Sequence, residues 1–309
     1  EISACLVGSE MCIRDRIDIL AAGTAMRFLT AYLSSTPSIH TITGTERMQQ
    51  RPIQILVNAL RELGAHIEYV RNEGFPPLRI EGRELTGSEI TLKGNVSSQY
   101  ISALLMIGPV LKNGLQLRLT GEIVSRPYIN LTLQLMKDFG ASASWTSDQS
   151  ILVDPQPYHC LPFTVESDWS AASYWYQIAA LSPQADIELT GLFRHSYQGD
   201  SRGAEVFARL GVATEYTETG IRLKKNGTCV ERLDEDFVDI PDLAQTFVVT
   251  CALLNVPFRF TGLQSLKIKE TDRIEALKTE MKKLGYILHD KNDSILSWDG
   301  ERVLSLIHI

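Results

Sequence analysis

The chain has little that would tie it to a polyanion, a membrane, a metal or an oxidising compartment. Its 309 residues carry 30 Lys and Arg against 37 Asp and Glu, a formal net charge of -7. Nucleic-acid affinity rests mainly on phosphate neutralisation by an excess of basic side chains, so no nucleic-acid partner is expected and any anion bound should be small. The longest apolar run, Ile101 to Leu111, is broken by Gly108 and Pro109, well short of the roughly 18 residues a membrane span requires. The five cysteines (Cys5, Cys12, Cys160, Cys229 and Cys251) are odd in number and show no C-x-x-C spacing. Reduced thiols are therefore expected. The six histidines are scattered without metal-ligand spacing. These absences predict a soluble, cytoplasmic protein, monomeric and without a metal or a membrane partner.

The two ends lack the rhythm of the rest. Neither residues 1–16 nor 303–309 follow the pattern described next, and neither resembles a signal peptide. Strings such as Cys12-Ile13-Arg14-Asp15-Arg16 and Leu304 to Ile309 look like translated adapter sequence, so both ends are expected to be non-native.

What is present is a repeat. Thr-Gly recurs at Thr43-Gly44, Thr120-Gly121, Thr190-Gly191 and Thr261-Gly262, with gaps of 77, 70 and 71 between the glycines. A second marker keeps the same beat: Leu63-Gly64, Phe139-Gly140, Leu210-Gly211 and Leu284-Gly285 each end an apolar-periodic run, with gaps of 76, 71 and 74. Within a copy the order is a small-residue apolar helix, a strand closing on Thr-Gly, a polar loop, an amphipathic helix ending in Gly, and two strands. Copy two illustrates the local signals. Ser97 and Ser98 precede the apolar run Tyr100 to Ile107, and Gly108-Pro109 should stop that helix. Leu115-Gln116-Leu117-Arg118-Leu119 alternates as a half-buried strand does. Pro127 suits the first turn of the next helix, and Gly140 fits its left-handed end. Strands then follow at 142–146 and 151–154.

The first helix of each copy is apolar nearly all round, with Ala31, Ala103, Ala179 and Ala252 in register, which reads as a buried helix wrapped by sheets. The proline cluster Pro155, Pro157 and Pro162 marks a boundary near Phe163-Thr164-Val165. The expected domains are 17–164 and 165–302, with two repeats in each.

Equivalent copies place their Thr-Gly loops, and the helix N-termini that follow, at equivalent ends of the scaffold. The loops are unevenly charged: Arg47 and Arg51 before Pro52 in copy one; Ser125, Arg126 and Tyr128 in copy two; Lys267, Lys269, Glu270, Asp272 and Arg273 in copy four. Helix N-termini add free N–H donors and partial positive charge, which favours a small polyanion where they gather. Each feature also has a plain reading. A cation beside a helix start is most often a solvated surface residue. Lys269 to Arg273 serves equally as a cap with Thr271 at the N-cap. Asp242 after Pro241 is a helix cap or a catalytic carboxylate, and Ser97-Ser98-Gln99 are caps or ligands. Ser170 and Ser173 read as structural. Gly23-Thr24 before an Arg-bearing helix is less specific than a Walker loop.

Taken together, seven segments resemble the 5-enolpyruvylshikimate-3-phosphate synthase family: Ala22 to Arg27, Arg47 to Pro52, Val96 to Gln99, Ser125 to Tyr128, Gln198 to Asp200, Ile240 to Asp242, and Lys269 to Arg273. They occur in family order over about Ile17 to Arg302. The resemblance implies an α/β fold of two inside-out barrel domains built from βαβαββ units, with four of the family's six units here, and an active site in the cleft between domains. It implies transfer of the enolpyruvyl group of phosphoenolpyruvate to the 5-hydroxyl of shikimate 3-phosphate, with no metal or organic cofactor. A chain lacking two units is expected to be inactive by itself.

By position, the resemblance makes Ser97, Ser98, Gln99, Ser125 and Tyr128 contacts for shikimate 3-phosphate, with Gln99 reaching toward both substrates. Gly23, Arg51 and Arg273 become contacts for phosphoenolpyruvate, where Arg offers a planar, permanently charged fork. Asp242 and Lys269 fall around the shikimate hydroxyls, Ser265 stands where the family's Asn contacts substrate, and Glu270 lies near the reacting methylene. Asp242, Glu270 and Lys269 are the candidate catalytic residues. Three positions depart from the family pattern: Ala21 for Asn, Phe28 for Pro, and Ser265 for Asn. Gly23 further implies sensitivity to glyphosate, an analogue resembling phosphoenolpyruvate. The sister transferase acting on UDP-N-acetylglucosamine lacks the Lys-Glu-Thr-Asp-Arg run and commonly uses a loop cysteine that nothing here matches. A non-catalytic module built from the same repeat would have no reason to keep Asp242 and Glu270 together.

Overall fold

In a computed structural model, which describes residues 15–269 and 271–304, the chain divides into two compact units, one ending at Leu161 and one beginning at Pro162. The first unit runs β1 (Arg16–Asp18), α1 (Gly23–Ser35), β2 (Ile39–Thr43), α2 (Gln54–Glu62), β3 (His66–Tyr69), β4 (Leu78–Glu81), then β5 (Glu89–Lys93), α3 (Ser98–Ile107), β6 (Leu115–Thr120), α4 (Arg126–Asp138), β7 (Ala143–Ser147) and β8 (Ser150–Val153). The second runs α5 (Trp169–Leu181), β9 (Asp186–Thr190), α6 (Gly203–Ala208), β10 (Val212–Tyr216), β11 (Gly220–Lys225), then β12 (Leu233–Asp236), α7 (Ala244–Leu253), β13 (Phe258–Thr261), α8 (Arg273–Lys283), β14 (His289–Lys291) and β15 (Ile295–Trp298). Arg16, which the sequence groups with the foreign start, opens β1 opposite Thr41.

Three of the four copies build the same sheet. The orders β1-β2-β4-β3, β5-β6-β8-β7 and β12-β13-β15-β14 each place a parallel pair first and two antiparallel pairs after it. The copy that begins with α5 has only β10-β11-β9 among the described residues. The parallel pair is what forces the helix between its strands, because a parallel connection needs a crossover. Both repeat markers land where the periodicity puts them. Every Thr-Gly threonine ends a strand, and Gly64, Gly140, Gly211 and Gly285 all follow a helix with φ between 87° and 104°. That left-handed turn is the conformation in which a glycine ends a helix without a Cβ penalty.

The helices read as buried differ in how far they are buried. α3 is covered along its length except near its start and at Met106, and Ala31, Ala103, Ala179 and Ala252 are all fully buried. The Ser and Thr residues on these inner helices bond locally: Thr30 and Ser34 in α1 and Thr250 in α7 each donate to the carbonyl four residues back. α5 departs from the expectation. Its small residues Ala172, Ser173, Ala179 and Ala180 face inward with Trp169 and Tyr176, while Tyr174, Trp175 and Ile178 are about half exposed. An apolar residue on every side says nothing about which side is covered.

Cys251 on α7 is fully buried, whereas Cys160 and Cys229 are exposed, and all three are free thiols. Burial pushes the Cys251 thiol well up from its ordinary range, so it stays protonated and unreactive. Iodoacetamide at pH 8 is expected to alkylate Cys160 and Cys229 in the folded protein and spare Cys251. Peptide mass spectrometry reads the three sites separately, and early labelling of Cys251 would contradict the packing of α7.

Candidate active site

In the first unit the helix starts gather at one end. Gln99, in the first turn of α3, donates its amide to Thr24 Oγ1 at the start of α1 (3.0 Å). Tyr100 donates its hydroxyl to the Pro52 carbonyl (2.6 Å), just before α2. One turn into α3, Ser102 Oγ meets Thr132 Oγ1 of α4 at 2.6 Å, and Thr132 in turn donates to the carbonyl of Tyr128. The starts of α1, α2, α3 and α4 are therefore tied together, and with them Gly23, Arg51, Ser97, Ser98, Gln99, Ser125 and Tyr128. Ser97 and Ser125 occupy N-cap positions of α3 and α4, yet neither side chain caps its helix. Ser125 adopts the left-handed region, φ 57°, and is buried.

Two guanidinium groups converge on Gly23. A Cβ built there would stand 2.5 Å from Arg51 Nη1 and 2.8 Å from Arg27 Nη1, so only a glycine leaves room for both. Arg27 is 4% exposed. Its Nη1 donates to the Gly23 carbonyl (2.9 Å) and points at Met48 Sδ (3.8 Å), its guanidinium lies over the Tyr100 ring, and its Nε has no hydrogen-bond partner among the described residues. Among the described residues no carboxylate pairs with Arg27, and a buried cation next to a second cation is costly unless an anion offsets the charge. Helix starts supply the N–H donors for that anion. The sequence quoted Arg27 only as part of a motif, because an Arg on a helix is by default a surface residue.

The loop cations sort by where they turn. Arg126 stacks on Trp145, Arg47 reaches Gln50, and Lys267 pairs with Asp293. These follow the plain reading.

In the second unit the polar cluster is built on Asp242, in the 3-10 turn Pro241–Leu243 that leads into α7. Its carboxylate accepts from Lys269 Nζ (3.0 Å) and Arg273 Nη1 (3.0 Å), residues 27 and 31 positions further on. Arg273 Nη1 also donates to Gln245 Oε1 (3.1 Å). All three charged side chains are only 20–28% exposed. The cap of α8 is Asp272, which accepts from the backbone of Glu275, rather than Thr271. This correction frees the preceding residues from a capping role. Ser265 lies in the 3-10 turn Gln264–Ile268 with its Oγ buried and unpartnered among the described residues. Glu270 lies outside the described residues.

The Gln198-Gly199-Asp200 motif acts within the scaffold. Gln198 donates to Glu166 Oε2 and the Ser167 carbonyl and accepts from the backbone of Trp169. Asp200, buried, accepts from Ser170 Oγ. Glu166 further accepts from Trp169 Nε1 and Ser196 Oγ. No local signal marks Glu166, whose partners lie up to 32 residues away.

A sequence model of the EPSP synthase family (3-phosphoshikimate 1-carboxyvinyltransferase) matches residues 6–305. The chain belongs to the EPSP synthase family. It is 99% identical over 287 residues to the 3-phosphoshikimate 1-carboxyvinyltransferase of Bacteroides fragilis strain YCH46, covering 93% of this chain and 70% of that protein. The same-named protein of Histophilus somni strain 2336 is 38% identical over 279 residues, covering 89% of this chain and 64% of the relative. Among solved structures, EPSP synthase from Acinetobacter baumannii superposes with a TM-score of 0.70 at 20% identity, over 93% of this chain and 66% of that one. The enolpyruvyl transferase NikO from Streptomyces tendae gives 0.60 at 14% identity, over 88% and 62%. These two likenesses support the enolpyruvyl transferase fold, inside-out units included. Among the described residues no helix is long and apolar enough to cross a membrane.

Proposed function

We propose that the complete protein containing this chain transfers the enolpyruvyl group of phosphoenolpyruvate to the 5-hydroxyl of shikimate 3-phosphate. The observation that carries this reading is the pair of cation clusters: Arg27 with Arg51 on Gly23 in one unit, and Lys269 with Arg273 on Asp242 in the other. The family's named relatives favour this reaction over transfer to a UDP-sugar and over a binding module.

The first unit supplies recognition. Ser97, Ser98, Gln99, Ser125 and Tyr128 offer hydroxyl and amide groups to the polyol phosphate, while Gly23 and Arg51 receive the phosphate and carboxylate of phosphoenolpyruvate. The second unit supplies proton transfer. C3 of phosphoenolpyruvate takes a proton as the 5-hydroxyl attacks C2, and the tetrahedral intermediate then loses phosphate and a C3 proton to give the enol ether. One group must accept the hydroxyl proton and another must serve C3 in both directions. Asp242 takes the first part and Glu270 the second, with Lys269 and Arg273 balancing charge and Ser265 contacting substrate. Preorganised cations of this kind act where charge develops. The direct test is shikimate 3-phosphate-dependent phosphate release from phosphoenolpyruvate by the complete protein. No release above background would overturn the reading.

Gly23→Ala probes the first cluster separately. The residue opens α1 with an ordinary helical backbone, and its neighbours there are the far ends of flexible side chains, so the variant should fold. Displacing one charge-assisted contact costs about 1.5–3 kcal/mol, roughly ten- to hundredfold in phosphoenolpyruvate affinity. Calorimetric titration against wild type measures it, and equal affinities would separate Gly23 from the site.

A further inference from the structure

We propose that Gln245 is a positioning residue for Arg273, fixing the guanidinium that the family resemblance makes a phosphoenolpyruvate contact; the inference rests on that reading of the site. Gln245 stands three residues after Asp242, in the first turn of α7, whose following residues Phe247, Val248, Cys251 and Ala252 are buried. It is the only residue of α7 with a side-chain amide or charge. Its Oε1 accepts from Arg273 Nη1 at 3.1 Å, and its Nε2 donates to the hydroxyl of Tyr174 on α5 at 3.3 Å.

Arg273 sets the sense of the amide. A guanidinium has only donors, so the amide oxygen must face it, and Nε2 is left for the Tyr174 hydroxyl, which can accept as well as donate. The same Nη1 also donates to Asp242 Oδ1 at 3.0 Å. One nitrogen is thus held by two oxygens three residues apart on the same segment, which fixes the plane as well as the position of the guanidinium.

The chemistry of the holder matters. Asp242 already balances Lys269 and Arg273, and a second carboxylate at position 245 would cancel the positive charge offered to an anionic substrate. A neutral amide orients Arg273 without reducing its charge. Arg273 is then a preorganised fork for a phosphate or carboxylate, and preorganisation is what makes a charged donor effective toward a bound anion.

The test uses the complete protein and steady-state kinetics. Gln245→Met keeps the length of the side chain and a good helix former but removes the acceptor. It should raise the KM for phosphoenolpyruvate about tenfold, the size of one lost bond to a charged group. The KM for shikimate 3-phosphate and kcat should move by less than about threefold. Gln245→Glu keeps an oxygen and adds charge, and it too should raise the KM for phosphoenolpyruvate. In an Arg273→Ala background the Gln245→Met effect should vanish, because the residue acts only through that guanidinium. A purely structural role would lower stability and leave the phosphoenolpyruvate KM alone, and that result overturns the proposal. If the Met variant does not fold, Gln245→Ala, which also removes the acceptor and suits a helix, decides by the same measurement. An inactive wild type would instead refute the proposed reaction, so the two failures remain distinct.

Discussion

Asp242→Asn in the complete protein is expected to lower kcat by about 100- to 10,000-fold, the usual contribution of a positioned proton acceptor. The replacement has the same shape and keeps an oxygen for Lys269 or Arg273, but it removes the charge and most of the basicity. The side chain is 28% exposed, so solvent screening holds the stability cost of the lost ion pairs to roughly 0–1 kcal/mol, and the melting temperature should move little. The kinetic pattern separates two roles. A proton acceptor loses kcat with both KM values nearly intact. A residue that only anchors Lys269 and Arg273 raises the KM of the anionic substrates and spares kcat. Single-turnover rates with saturating substrates distinguish them, and a kcat within about threefold of wild type would remove Asp242 from the chemistry.

The two roles of Asp242 also mark where sequence reading stops. Thr43, Thr120, Thr190 and Thr261 were legible as strand ends, because alternation followed by glycine is a local signal, and so were the four glycines that end helices. Asp242 after Pro241 looked the same whether it capped a turn or served a reaction. What separates the readings is contact with Lys269 and Arg273, and that contact depends on how two 3-10 turns and α8 pack. Thr271 and Asp272 are adjacent capping residues, and propensity alone did not choose between them. Arg27 was hidden for the opposite reason: burying a guanidinium runs against composition, so only the closed space around Gly23 reveals it. α5 is exposed on one side because a helix apolar all round carries no periodic signal that says which side is covered. Where the units rely on local chemistry the sequence is readable, and where they rely on residues tens of positions apart it is ambiguous. The function was legible in advance only because seven segments carry a family's order.

Phe247→Ala is expected to cost the second unit about 3–5 kcal/mol, the range for emptying a fully buried aromatic site. Phe247 is completely buried, with ring centroids 4.2 Å from Phe207 and 5.4 Å from Phe237. On one side Phe207 continues to Tyr176 of α5 at 5.1 Å. On the other Phe237 continues through Phe260 and Phe258 to Trp298 and Tyr286. Phe247 therefore joins the rings of α5 and α6 to those of the β12-β13-β15-β14 sheet, and its loss divides the core instead of trimming its edge. Against a typical domain stability of about 5–15 kcal/mol the loss is large. Phe247→Leu keeps most of the volume and should cost less than about 1.5 kcal/mol beyond the aromatic contacts it forfeits, themselves about 0.5–1.5 kcal/mol a pair. Hydrogen exchange gives the location: amides after Pro162 should lose protection while those of the first unit, whose buried cluster shares no residue with this one, keep theirs. Equal stability of the Ala and Leu variants would show that the ring fills no critical space. The consequence reaches chemistry because α7, which carries Phe247, begins two residues after Asp242 and bears Gln245 in its first turn. Loosening that helix should blur the two oxygens that hold Arg273, so the Ala variant is also expected to weaken phosphoenolpyruvate binding at temperatures where it remains folded.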